Sequence, residues 1–117
     1  MTQPAMTFVC EQDGPPEQAL KGLLARAFDA RDRVARAFLA RVDYGDGAYA
    51  VALCVRTVAG TEEMGVVRDV AEAFRQLFGR DQHLDVCFLD DEQEARVRRV
   101  CRPFYERRPG PRGGLLH

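Results

Sequence analysis

The densest chemistry in the chain is cationic. Arg96, Arg98, Arg99 and Arg102 fall within seven positions, and Arg107, Arg108 and Arg112 follow. On a helix Arg96, Arg99 and Arg102 would stand near one another, with Arg98 four positions from Arg102. Such a surface is either a solvated basic face, partly paired with acids upstream, or a site for an acidic partner. Phe104 and Tyr105 come directly after Pro103. Two rings so placed would bury much area and lock the C-terminal segment to the core, or anchor a partner. The expected partner-binding residues are therefore Arg96, Arg98, Arg99, Arg102, Phe104 and Tyr105. The expected partner is an unidentified protein or a small anionic metabolite. Nucleic acid is disfavoured, because only these two rings offer stacking platforms near the charge.

Other reactive residue types form no constellation. Cys10, Cys54, Cys87 and Cys101 lack CxxC spacing and fall in apolar segments, so reduced, core-type thiols are expected, with no metal and no cofactor. His83, beside Asp81 and Asp85, reads as a surface turn residue, and His117 is terminal. Asp90-Asp91-Glu92 and Glu94 stand where a helix begins, the ordinary use of such charges. The chain has no GxGxxG, Walker loop, HExxH or GxSxG. No catalytic residue is nominated. Lys21 is the only lysine; every other basic residue is arginine. That bias reflects either base composition or forks built for carboxylate and phosphate, a task lysine performs less well.

A length of 117 residues allows one domain that buries roughly two-thirds of its extended surface. Hydrophobic residues at 46% and charged residues at 30% describe a globular chain. Seventeen basic against 18 acidic residues give a net charge of −1, which argues against a general nucleic-acid or membrane-surface role. No apolar run reaches the roughly 18 to 20 residues that span a bilayer. The N-terminus shows no basic n-region before a hydrophobic core, so a cytoplasmic location is expected.

The elements that must position these groups follow from periodicity. Met6 to Glu11 reads as a strand. After Pro15-Pro16, Leu20, Leu23, Leu24, Ala27 and Phe28 make one apolar stripe of a helix from about Pro16 to Ala30. Val34 to Asp43 and Ala48 to Arg56 flank Tyr44-Gly45-Asp46-Gly47 and form a hairpin of central strands. Val34, Phe38 and Val42 are expected on one face of its first arm, and small residues such as Cys54 on the covered face of the second. Thr61 is the expected cap of a second helix carrying Val67, Val70, Phe74, Leu77 and Phe78, with Gly79 as its C′ residue. Leu84 to Leu89 is a strand, and Glu92 to about Cys101 a third helix stopped before Pro103. The order β-α-β-β-α-β-α predicts an α+β single-domain sandwich, one sheet with helices on one face, over residues 1–107. The first six elements match a ferredoxin-like order. A flexible Pro/Gly-rich tail is expected over 108–117.

Arg102-Pro103-Phe104-Tyr105-Glu106-Arg107, after the strand Leu84 to Leu89 and a short helix, resembles the C-terminal domain family of SseB, the enhanced serine sensitivity protein. The likeness spans about Thr7 to Arg107 and includes Val34-Ala35-Arg36-Ala37-Phe38-Leu39. It departs at Leu84-Asp85-Val86, where the family commonly shows Val-Asp-Phe. It also covers only the C-terminal domain of longer family members, whose separate N-terminal domain these residues do not match. The resemblance implies a bacterial cytoplasmic protein tied to a serine-sensitivity phenotype, and it supplies no catalytic residue. Three functions follow in order of expectation: a non-enzymatic interaction or regulatory domain using the basic last helix, an amino-acid sensor, and an enzyme working through a reactive thiol. A homodimer through a sheet edge remains open.

Overall fold

The computed structural model describes residues 6–45, 49–79, 82 and 84–107. Its elements are β1 (Thr7–Glu11), α1 (Pro15–Ala30), β2 (Val34–Asp43), β3 (Tyr49–Thr57), α2 (Met64–Leu77), β4 (Asp85–Phe88), α3 (Asp91–Val97) and β5 (Tyr105–Glu106). The α+β class and the single sheet agree with the sequence. The expected tail, 108–117, lies outside the described residues, as do His83, His117 and the tip of the hairpin at 46–48. Among the described residues no helix is long and apolar enough to cross a membrane.

The sheet runs β1-β2-β3-β4, with β5 also on β2. β2 and β3 are central, as their apolar content requires, and pair antiparallel from Val34↔Thr57 to Asp43↔Tyr49. The other edge of β2 is shared. β1 takes the end from Ala40 to Asp43, and β5 takes Arg36 and Ala37. The ferredoxin-like order is not adopted. That arrangement splits its βαβ units by inserting a strand, whereas here β1 sits directly beside β2 and antiparallel to it. The parallel pair is β3–β4, and α2 supplies the long connection a parallel pair needs.

Helices also cover both faces rather than one. Leu20, Leu24 and Phe28 of α1 and Val66, Val70 and Ala73 of α2 pack with Ala37, Leu39, Leu53 and Val55. The alternate residues Phe38, Ala40, Val42, Ala52 and Cys54 pack with Phe8, Leu89, Val97 and Cys101, so α3 and the turn after it lie on the opposite face. The cause is local: both faces of β2 are apolar, and a one-sided layer would leave Phe38 and Val42 in water. Val34 does not share a face with Phe38. A bulge between Val34 and Arg36 turns it toward α1 and α2 instead.

Two caps differ from expectation. α2 begins at Met64 with Glu63 as its N-cap, so Thr61, Glu62 and Glu63 precede the helix. The Thr57 hydroxyl donates to the Thr61 carbonyl oxygen at 2.6 Å and holds Val58 to Thr61 as a turn. At the other end Phe78 is extended and its ring stacks on Phe74 at 4.7 Å, so no left-handed glycine cap forms at Gly79. Gly60, by contrast, has φ of +80° with open space where a Cβ would stand. Gly60→Ala is therefore expected to lower the unfolding free energy by about 1 kcal/mol through backbone conformation alone, read from urea unfolding.

Candidate binding site beneath α3

The capping box that starts α3 is built from the acidic run. Asp90 accepts the Gln93 N–H at 2.8 Å, and the Gln93 side chain accepts the Asp90 N–H at 3.0 Å. α3 then stops at Val97, short of the expected Cys101, and Arg98 to Val100 form turns. Val97 and Cys101 are buried, which pulls the chain down onto the sheet just where a longer helix would leave it. Arg102 consequently lies outside the helix, and no continuous basic helical face forms.

Arg96 is half-exposed, with only a distant contact to Glu92 at 4.0 Å. Arg98 is committed to structure. It faces Glu94 at 3.5 Å and Glu106 at 3.9 Å, and its guanidinium lies 5.7 Å from the centre of the Phe38 ring. Arg99 and Arg102 are exposed and make no ion pair among the described residues; the Arg102 backbone N–H donates to Glu11 at 3.4 Å. Arg107 is tied down as well, donating to the carbonyls of Phe28 and Arg31 at the end of α1 and pairing with Asp32 at 3.0 Å. Arg108 and Arg112 lie outside the described residues.

The aromatic pair stands on the other face. Phe104 donates its N–H to the Ala37 carbonyl at 2.9 Å, Tyr105 continues as β5, and both rings pack against the α1–α2 side of the core. The Tyr105 ring meets Phe28 edge-on at 5.7 Å. Its hydroxyl donates to Asp29 at 3.4 Å, and burial pushes that phenol above its usual value. The rings thus lock the C-terminal segment, and the structure does not bring them together with Arg96 and Arg99.

Sequence reasoning missed the arginines that hold α3 down. Arg36 and Arg56 are directly opposite one another on β2 and β3. Arg36 grips both oxygens of Glu94, with one bond at 3.0 Å, while Arg56 lies 4.0 Å from Glu94 and 2.6 Å from Asp91. The Arg36 hydrogen bond, with the charges of Arg36, Arg98 and Arg56, keeps the Glu94 carboxyl below the ordinary carboxylate range despite its burial. The available signal was a pair of arginines inside apolar strands, which need a carboxylate partner when covered.

Beside this clamp, between α3, β1 and β4, lies an open cavity of about 570 Å³. Arg96, Gln93, Tyr44, Cys87, Glu62 and Phe8 are among its lining residues. A shallower depression of about 230 Å³ adjoins Met6, Phe8, Arg96 and Arg99, so Arg96 serves both. The Tyr44 hydroxyl donates to Asp85 at 2.6 Å, and burial together with that bond raises its pKa, so it stays protonated. The volume suits a small molecule, and the wall carries a cation, an anion and an amide.

The cysteines are free but not uniformly buried. Cys54 and Cys101 are buried, Cys87 is half-buried, and Cys10 is exposed on edge strand β1, where a bulge between Phe8 and Cys10 alters the register. The expectation of four core thiols fails at Cys10 for that reason.

The family model described as SseB protein C-terminal domain matches residues 9–107. None of the curated proteins or solved structures matches the chain. Since the matched segment runs from within β1 through α3 and β5 and takes in most of the sequence, the chain belongs to the SseB C-terminal domain family.

Proposed function

We propose that the chain is a non-enzymatic regulatory binding domain whose ligand is a small carboxylate, with an α-amino acid the best match, held in the cavity beneath α3. The observation that carries this reading is Arg96, a half-exposed guanidinium on the wall of a cavity that Glu62 and Gln93 also line. Arg96 would fork onto the carboxylate, Glu62 would face the ammonium, and Gln93 has an amide to meet a side-chain hydroxyl or carbonyl. The Tyr44 phenol, held protonated beside Asp85, is a donor rather than a base. The serine-sensitivity phenotype implied by the family fits an amino-acid ligand.

Thermal shift against a panel of amino acids and dicarboxylates tests this. A ligand at 100 times its dissociation constant should stabilise the fold by about 2.7 kcal/mol. Arg96→Glu should abolish that shift while leaving the unliganded midpoint nearly unchanged, because the side chain holds nothing of the core. No shift with any compound at millimolar concentration would overturn the reading. An acidic protein partner is the second reading, favoured by Arg99 and Arg102, both exposed and without an ion pair among the described residues. Its mark would be a complex that survives Arg96→Gln and is lost on Arg99→Glu with Arg102→Glu.

A further inference from the structure

The same cavity contains a thiol with a hidden neighbour. In the parallel β3–β4 ladder Cys54 stands opposite Cys87, and both side chains belong to the core beneath α3. Adjacent strands lie about 4.8 Å apart, inside the Cα separation of about 4.4 to 6.8 Å that a disulfide spans. The two residues differ in access. Cys54 is wholly buried, whereas Cys87 is half-buried and lines the cavity. Among the described residues β4 pairs only with β3, so its other edge can follow a small displacement.

We propose that Cys87 is an oxidation site for small hydroperoxides that enter this cavity, and that Cys54 resolves the product as an intramolecular disulfide. In the first step the Cys87 thiolate attacks the distal peroxide oxygen. The O–O bond breaks, Cys87 becomes a sulfenic acid, and the alkoxide or hydroxide leaves and takes up a proton. In the second step the Cys54 sulfur attacks the sulfenic sulfur, the S–O bond breaks, and water departs with the Cys54 proton. The peroxide is reduced by two electrons and the two thiols are oxidised by two.

The difference in access sets the roles, and the electrostatics of the pair run in the same direction. The interaction with Cys54 holds the Cys87 pKa below the ordinary thiol value in spite of burial and the Asp90 charge. The neighbouring Cys87 sulfur, with burial, pushes Cys54 up, so it retains its proton until the second step. The other cysteines lack this arrangement. Burial raises Cys101 to about 11, and Cys10 is exposed on the edge strand. With one of its sulfurs at the cavity wall, the product would be open to reduction by a dithiol. This inference stands on strand register and does not depend on Arg96 or on the ligand reading.

The test treats the full chain with hydrogen peroxide, blocks remaining thiols in denaturant with iodoacetamide, and maps tryptic peptides by mass. The expected product is a linked pair of peptides containing Cys54 and Cys87, two hydrogens lighter and separated again by dithiothreitol. With Cys54→Ser, dimedone should trap a persistent sulfenic acid at Cys87, and Cys54→Ala gives the same readout if the serine is not tolerated. With Cys87→Ser, Cys54 should remain unoxidised. Oxidation confined to Cys10, or Cys87 carried to sulfinic acid in the unmutated chain with Cys54 unpaired, would overturn the proposal.

Discussion

Phe38→Ala is expected to destabilise the domain by about 3 to 5 kcal/mol, a large part of what a chain of this size possesses. Phe38 is fully buried in β2 and faces the underside of α3, packed with Phe8, Val42, Cys54, Val97 and Cys101. Several of its neighbours are small: Ala40, Ala52 and Cys54 cannot expand into the void, so the hole persists rather than closing. The Arg98 guanidinium over the ring loses its aromatic contact as well. Phe38→Leu keeps most of the volume and should cost about 1 kcal/mol. Urea unfolding followed by circular dichroism reads both. A loss below about 1 kcal/mol for the alanine variant would mean that α3 does not rest on this ring.

The contrast between the two sheet faces explains what the sequence made legible. Leu20, Leu24 and Phe28 repeat at helical spacing, and Leu53 and Val55 alternate, so α1 and its place in the core could be read directly. Hairpin β2–β3 and its central position followed from turn residues between apolar runs. Strand order did not follow, because β1 and β5 pair with β2 through backbone groups that every sequence carries. α3 was misjudged in length because Val97 and Cys101 continue a helical spacing even after the helix ends; burial decided there, not propensity. The site was legible only in part. Arg96 was named, but Arg98 was absorbed by Glu94 and Phe38, and Tyr105 went to the opposite face. The cavity joins residues from β1, the hairpin, β4 and α3, distant in sequence, so no local pattern announces it.

Glu94→Gln should have the second large effect and should reveal itself through pH. Its carboxylate is the common anion of Arg36, Arg56 and Arg98, and its side chain is only 10% exposed. Removing the charge strips Arg36 of its ion pair and leaves Arg56 and Arg98 only Asp91 and Glu106, an expected loss of about 2 to 3 kcal/mol near neutral pH. The figure sits below that of a fully enclosed pair because Arg98 is 45% exposed and partly solvated. The folded carboxyl titrates below its ordinary value of 4.5, so its stabilisation is complete above that value. As pH falls from about 4.5 through the lower folded value, the unmutated protein loses this contribution and converges on the variant. Unfolding midpoints at several pH values should show a gap that is wide at pH 7 and narrow in acid; a gap independent of pH would assign Glu94 a packing role instead. Arg36→Met added to Glu94→Gln should cost less than the sum of the single changes, because the methionine removes a cation that the first change left unpaired. Glu94 lies two positions before Arg96, so the clamp that fixes α3 also fixes the guanidinium at the cavity. Glu94→Gln should therefore weaken ligand binding without touching the ligand, whereas Arg96→Glu removes binding and leaves stability in place.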